Sequence, residues 1–308
     1  MNNNAKFAFW YMLSLVALVF MSIATGVIVF QIINQQLVDV LKNTLPSQET
    51  LKVAISAVII SAPIFYWLTR LIRRAMAKGQ LSAEASIRRW LTYFILFVSA
   101  VVAIIWLIMT INSFLNGELT LKFILKALTV LAITASIFTY YFYDIRHGQD
   151  AKKTVIKIYL IGSLVLVAAV FVASFWFVES PTEARARQHD QAVVNDLNIL
   201  DGAINNFYSA NNKKLPAALS SLSEMSASYY LPADAFVDET GDKPYDYKII
   251  DATHYQLCAN WQVSSEVLKE NKSYYIDARW QHEVGYQCFD RQVGDLGDIK
   301  GAVPAPVR

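Results

Sequence analysis

Charge is scarce in this chain. Only 17% of its 308 residues are Asp, Glu, Lys or Arg, where a soluble domain carries about a quarter. Histidine and cysteine are scarcer still, at 4 and 2 residues. The histidines are dispersed and none clusters with the cysteines, so the common structural zinc arrangements are excluded and each histidine is expected at the surface. There is no His-Glu-x-x-His, no Gly-x-Ser-x-Gly, no phosphate-cradling glycine loop and no Cys-x-x-Cys. The reading is a non-enzymatic chain that needs no cofactor.

What is abundant is apolar: 55% of the residues are hydrophobic. Crossing a hydrocarbon core takes about 20 predominantly apolar residues at 1.5 Å of helical rise each. Five stretches qualify: Phe7 to Ile33, Val53 to Leu68 (the shortest, with Pro63 inside), Trp90 to Ile111, Phe123 to Tyr143 and Ile158 to Val178. So little polar sequence could not enclose five such runs as the core helices of a soluble protein. The first run is too long for a signal-peptide core, and Met1-Asn2-Asn3-Asn4 before it carries no basic residue, so it is read as a retained span.

The charges divide along the chain. Met1 to Val178 holds 15 Lys and Arg against 6 Asp and Glu, whereas Glu179 to Arg308 holds 12 against 19. Within the first region the basic residues alternate by loop. Arg70, Arg73, Arg74, Lys78, Arg88 and Arg89 crowd between the second and third spans, and Arg146, Lys152, Lys153 and Lys157 between the fourth and fifth. The first and third loops are poor in them. By the positive-inside rule the amino terminus is cytoplasmic in a bacterial cell membrane, and an odd number of spans leaves everything after Val178 outside. Topology accounts for the basic loop without a nucleic-acid partner; the lipid bilayer is the partner it implies. Within that loop Ser82 is a candidate helix cap and Glu84 a candidate partner for Arg88. No ionisable residue sits near a span centre, and Lys126 and Asp144 lie near ends where long side chains reach the interface. That disfavours a proton-coupled pump and leaves a passive channel open.

The strings Ile87-Arg88-Arg89-Trp90-Leu91-Thr92-Tyr93, Asn116-Gly117-Glu118-Leu119-Thr120-Leu121 and Tyr140-Tyr141-Phe142-Tyr143-Asp144-Ile145-Arg146 open the third, and open and close the fourth, of these helices. In them the region from about Phe7 to Arg146 resembles a family of bacterial four-helix membrane domains of unassigned function. That resemblance implies a helical membrane domain and no activity.

Beyond Val178 the pattern changes. Pro181-Thr182-Glu183 suits a helix start, and Val193, Leu197, Leu200, Ile204 and Phe207 then recur at helical spacing, with Asn198, Asp201 and Asn205 on the polar side. The helix is expected to end near Asn211 to Lys214. Tyr245, Tyr247 and Ile249, then Tyr255, Leu257, Ala259 and Trp261, alternate with polar residues as strands do, and a third strand is expected from Trp280 to Phe289. Glu239 to Asp242 reads as a turn and Gly285 as a bulge or close approach. One helix on a small antiparallel sheet is the economical assembly. Cys258 and Cys288 fall on two of the strands; outside the cytoplasm an even pair suggests a disulfide, with two buried thiols as the alternative. Asp234, Asp238, Glu239, Asp242 and Asp246 offer hard oxygen ligands of the kind calcium takes, or form a solvated acidic loop.

Asn211-Asn212-Lys213-Lys214-Leu215-Pro216 after an amphipathic helix, then Leu231-Pro232-Ala233-Asp234, Thr240-Gly241-Asp242-Lys243-Pro244-Tyr245-Asp246-Tyr247 and Tyr255-Gln256-Leu257-Cys258-Ala259, resemble the head of type IV pilins and type II secretion pseudopilins. The resemblance runs from about Arg185 to Phe289. It implies an extracytoplasmic α+β domain that engages envelope proteins or the cell wall. The span before it lacks the glutamate that pilin helices carry near their start, so leader processing and filament assembly are not implied. The expected organisation is a four-helix membrane domain over 1–150, a fifth span over 151–180, a pilin-like domain over 181–292 and a disordered tail over 293–308. The function expected of it is to present the outer head; a channel or carrier formed by the bundle, with the head as its lid, is the alternative.

Overall fold

A computed structural model describes residues 3–37, 47–78, 86–147, 153–225, 232–238, 243–265 and 278–294. The chain divides into two compact units, Met1–Val178 and Glu179–Arg308.

The first unit is helical throughout: α1 (Asn3–Gln36), α2 (Gln48–Ala77), α3 (Ser86–Leu115), α4 (Leu121–His147) and α5 (Lys153–Ser174). All five are long and apolar enough to cross a membrane, the shortest over the 21 residues Thr154–Ser174; this fits a multi-pass membrane protein. Val53 to Leu68, the shortest apolar run, lies inside the 30-residue α2. Pro63 does not break that helix, although it cannot donate to the carbonyl of Ile59. The fifth span stops as an α-helix at Ser174, and Phe175 to Phe177 tighten into i→i+3 turns, as when Phe177 N–H donates to Ser174 O at 3.0 Å.

The helices alternate in direction. Phe7 of α1 packs with Ile72 and Ala75 at the carboxyl end of α2. Gln48 at the start of α2 donates to the carbonyl of Phe177 after α5. Phe30, Trp106 and Phe123 meet at that same end. The α1–α2 seam is built from Ala17, Leu18, Met21, Ala24 and Ile28 against Leu51, Ala54, Ile55 and Val58. Its alanines let the backbones approach closely, which is how helices pack where no hydrophobic effect drives them together. Outward faces are equally apolar: on α3, Trp90, Phe97, Ile104, Ile108 and Phe114 are all more than half exposed. In water that face would be an aggregation patch; facing lipid it is solvated.

The second unit opens with α6 (Pro181–Ala210), started by a capping box in which Ser180 Oγ accepts from Glu183 N–H and the Glu183 carboxylate accepts from Ser180 N–H. Asn212 and Lys213 after it adopt left-handed backbone, with φ of 51° and 58°. Two short strands, β1 (Val237–Asp238) and β2 (Lys243–Pro244), pair with each other; β3 (Asp246–Ile249), β4 (His254–Trp261) and β5 (Gly285–Gln292) form a three-stranded antiparallel sheet in that order. Val193, Leu197, Leu200 and Ile204 pack on Tyr255, Leu257, Ala259 and Trp261, all nearly inaccessible. Burying each large side chain contributes about 1.5–3 kcal/mol.

Two expectations need correction. The third strand begins at Gly285, not Trp280: Trp280 lies in a 3-10 turn, Ala278–Trp280, whose side chain fills the core. Gly285 starts the strand at φ +105°, a conformation that only glycine adopts easily. Asn198 and Asp201 do not face solvent; both turn toward residues of the sheet and its approach. The turn over Glu239 to Asp242, the capping stretch at Ser82 and Glu84, and the tail from residue 295 lie outside the described residues.

Candidate functional site

The carboxyl ends of α2 and α4 meet the amino end of α3, and charged side chains converge there. Asp144 sits in the last turn of α4 and Arg88 in the first turn of α3. Each opposes its own helix dipole, since carboxyl ends disfavour anions and amino ends disfavour cations. Pairing offsets both penalties: Arg88 Nη2 donates to Asp144 Oδ2 at 2.6 Å, with both side chains largely buried. Arg73 joins from α2, donating to Tyr140 Oη at 2.5 Å and standing 3.8 Å from Asp144 Oδ1. Its guanidinium also lies over the Tyr140 ring, 5.9 Å from the centroid. Arg73 Nε is enclosed without an acceptor among the described residues, so this cation is only partly satisfied. A cavity of about 50 Å³, lined by Tyr11, Ser14, Thr69, Arg73, Arg88 and Asp144 among others, lies against the cluster.

The six basic residues singled out in the sequence all occupy this one end. Arg70, Arg74, Lys78 and Arg89 are exposed, whereas Arg73 is half-buried and Arg88 buried. Sequence reasoning counted them only as charges that orient the chain. It also placed Asp144 at the lipid interface, but the side chain turns into the bundle. The available signal was that Asp144 is the only acid between Glu118 and Asp150, on a helix whose hairpin partner opens with Arg88-Arg89. Chemically the cluster locks three helix ends together and offers a guanidinium at the bundle's edge to an anion.

The second unit carries its own buried polar groups. His189, expected at the surface, is buried between Asp190 and Asp238, its ring nitrogens 3.0 and 2.8 Å from their carboxylates. Burial opposes the imidazolium, but the hydrogen bonds to both carboxylates outweigh it and raise the His189 pKa. Asp190 also accepts from the backbone N–H groups of Gln262 and Val263 at 2.9 and 2.7 Å, tying α6 to the end of β4. His282 is buried as well, stacked on Trp261 at 3.7 Å. Ser265 Oγ lies 3.1 Å from His282 Nδ1, and Asp190 Oδ2 lies 3.8 Å from Nε2. That trio has the composition of a nucleophile set without its proton path. Nδ1 is 2.7 Å from the carbonyl of Trp280, which can only accept, so Nδ1 carries the proton and has no lone pair for the serine. Of the two remaining histidines, His147 is exposed and His254 half-buried.

A third knot lies beside them. Asp201 accepts from Tyr255 Oη at 2.5 Å and from Arg291 Nε at 3.1 Å, with Arg279 at 3.6 Å. Burial and the adjacent carboxylate hold the Tyr255 hydroxyl well above its usual pKa. Asn198 Oδ1 accepts from both Trp280 Nε1 and Arg279.

Cys258 and Cys288 are directly opposite on β4 and β5 and form a disulfide on the face of the sheet turned away from α6. Of the calcium candidates, Asp238 accepts from His189 and Asp246 accepts from Tyr286 Oη at 2.6 Å. Asp242 and the Asp234 side chain lie outside the described residues, as does Glu239. Among the described residues no three His, Cys, Asp or Glu side chains gather as metal ligands would.

Residues 8–141 match a family described as Domain of unknown function (DUF5671), a match that covers less than half of the chain and ends just before Asp144. No curated protein and no solved structure matches it.

Proposed function

We propose that the chain is a multi-pass protein of the bacterial cell membrane. Its amino terminus is cytoplasmic, and it presents a disulfide-closed, pilin-like domain outside the cytoplasm to an envelope protein or the cell wall. The observation that carries this reading is the segregation of charge in the first unit. The six basic residues of the second loop stand at one end of alternating helices, and α5 starts at that end and leaves from the other. The positive-inside rule assigns the basic end to the cytoplasm and so places residue 179 across the bilayer. A disulfide among the described cysteines suits the oxidising side.

The outer domain offers a surface for a protein partner in β5. This eight-residue strand pairs with β4 along one edge only among the described residues, and Val284 and Tyr286 at its start are largely exposed. An open strand edge is a template for main-chain pairing with another polypeptide. The role is non-enzymatic. The alternative, a channel or carrier, needs a polar path between helices, and the α1–α2 seam of alanines and branched aliphatics favours an anchor instead.

Crosslinking in intact cells followed by purification of the full chain tests the reading. A reproducible partner that disappears when residues 179–308 are deleted supports it. A partner set unchanged by the deletion overturns it.

A further inference from the structure

A groove of about 360 Å³ runs between α1, α4 and α5, within the size range of small-molecule clefts. Its walls are apolar for most of their length, with Leu18, Ile133, Ile137, Leu166 and Val167 among them, and Ser22, Thr25 and Ser163 interspersed. Its tyrosines, Tyr140, Tyr141 and Tyr159, gather toward one end. That is the end of the charged cluster: Tyr140 lines both the groove and the small cavity against Arg73, and its hydroxyl accepts from Arg73. Along α4 the lining runs from Ala132 to Tyr141, and along α5 from Ile158 to Val167. Nine residues of helix rise about 14 Å, close to half of a hydrocarbon core about 30 Å thick. The groove is thus about as long as one leaflet is thick, with tyrosines at the end nearest Arg73.

From this geometry we infer that the groove holds one acyl chain of an anionic phospholipid from the basic-side leaflet, with the lipid phosphate bound by Arg73. Charge complementarity selects that occupant. Arg73 is a quarter exposed and stands 3.8 Å from a carboxylate already engaged by Arg88 at 2.6 Å, so two guanidiniums share one carboxylate. Lys157, exposed, precedes Ile158 at the mouth and adds positive charge there. A guanidinium matches phosphate geometry in a way that an ammonium does not. A second groove of about 350 Å³, between α1, α3 and α4, serves as the contrast: no tyrosine lines it, and no lining residue touches Arg73 as Tyr140 does in the first. The inference needs only that the five helices lie in a bilayer; it does not depend on which side the second unit occupies.

Gly162 provides the test, because it lines the groove and a Cβ built on it meets nothing within 4 Å. A Cβ there enters open space, so a larger side chain is expected to occupy the groove. The full chain, purified in mild detergent with phosphatidylglycerol or phosphatidylcholine, is weighed by native mass spectrometry to count retained lipids. The expected result is one retained phosphatidylglycerol, with retention falling roughly tenfold in Gly162→Phe and by less in Gly162→Leu. Arg73→Gln should still retain lipid but lose most of the preference for phosphatidylglycerol. Millimolar inorganic phosphate should not displace the lipid, since the acyl chain is part of the ligand. Undiminished retention in a monodisperse Gly162→Phe or Gly162→Leu protein would overturn the site. An unchanged preference in Arg73→Gln would overturn the assignment of Arg73, and displacement by phosphate alone would overturn the acyl chain's part in binding.

Discussion

The two units solve the same problem, an enclosed ion, in opposite places. The membrane unit keeps its buried pair, Arg88 and Asp144, at the tips of its helices and leaves the middle of each span to uncharged residues. The second unit does the reverse and sets Asp201 against Tyr255 and Arg291 in the heart of its fold. Solvent explains the contrast. In lipid, an ion at mid-depth has neither water nor a nearby interface, so charge is confined to the ends. In water, an acid on the inner face of a helix is tolerable when a sheet supplies fixed donors, and there it locks the register of helix on sheet.

That contrast is sharpest when one partner is removed. Asp144→Ala takes the carboxylate away from the buried Arg88 guanidinium, and should destabilise the membrane unit by about 3–5 kcal/mol. The double variant Arg88→Leu with Asp144→Leu should recover most of it. Denaturant titration of the purified chain checks both, and a silent Asp144→Ala would mean that water reaches the pair. Asp201→Ala should also cost about 3 kcal/mol, but only in the second unit. Hydrogen exchange would show the loss in α6 and β4 and leave α1–α5 unchanged. A loss spread over both units would break the comparison.

Replacing Cys258 and Cys288 with alanine should lower the stability of the second unit by about 2–4 kcal/mol, by freeing the unfolded chain. A reductant should reproduce the shift in the parent and have no effect on the variant, as read by thermal unfolding.

The smallest effect belongs to His189. Its folded pKa is raised, so the stability it contributes is fully present below the ordinary histidine pKa and is lost as pH rises through the raised value. The difference in Tm between the parent and His189→Gln should therefore shrink as pH increases from 6 upward, past about 6.5. A difference that grows with pH would contradict the assignment.

The parts of the fold that depend on periodicity were legible in the residues. All five spans were, since long apolar runs answer directly to the bilayer. So was the stripe from Val193 to Ile204, because its spacing is helical, and so were the strands around Tyr247 and Tyr255–Trp261, where the period falls to two. The polar partnerships were not. Nothing in the spacing of Asp201 within its helix says that Arg291 lies across from it, 90 residues later. His189 looked like one of four scattered histidines until the fold brought Asp238 to its ring. Arg73 and Arg88 were visible as charges; their shared carboxylate was not, because it depends on how three helix ends meet. Trp280 misled for a related reason: a large aromatic beside a strand pattern reads as strand, yet it fills the core equally well from a turn.

The account rests on the basic ends of the helices and the second unit lying on opposite sides of a bilayer. A reporter enzyme that is active only outside the cytoplasm, fused after Lys78 in one strain and after Arg308 in another, measures this directly. The expected result is activity from the Arg308 fusion and silence from the Lys78 fusion. Activity after Lys78 with silence after Arg308, or equal activity from both, would contradict it.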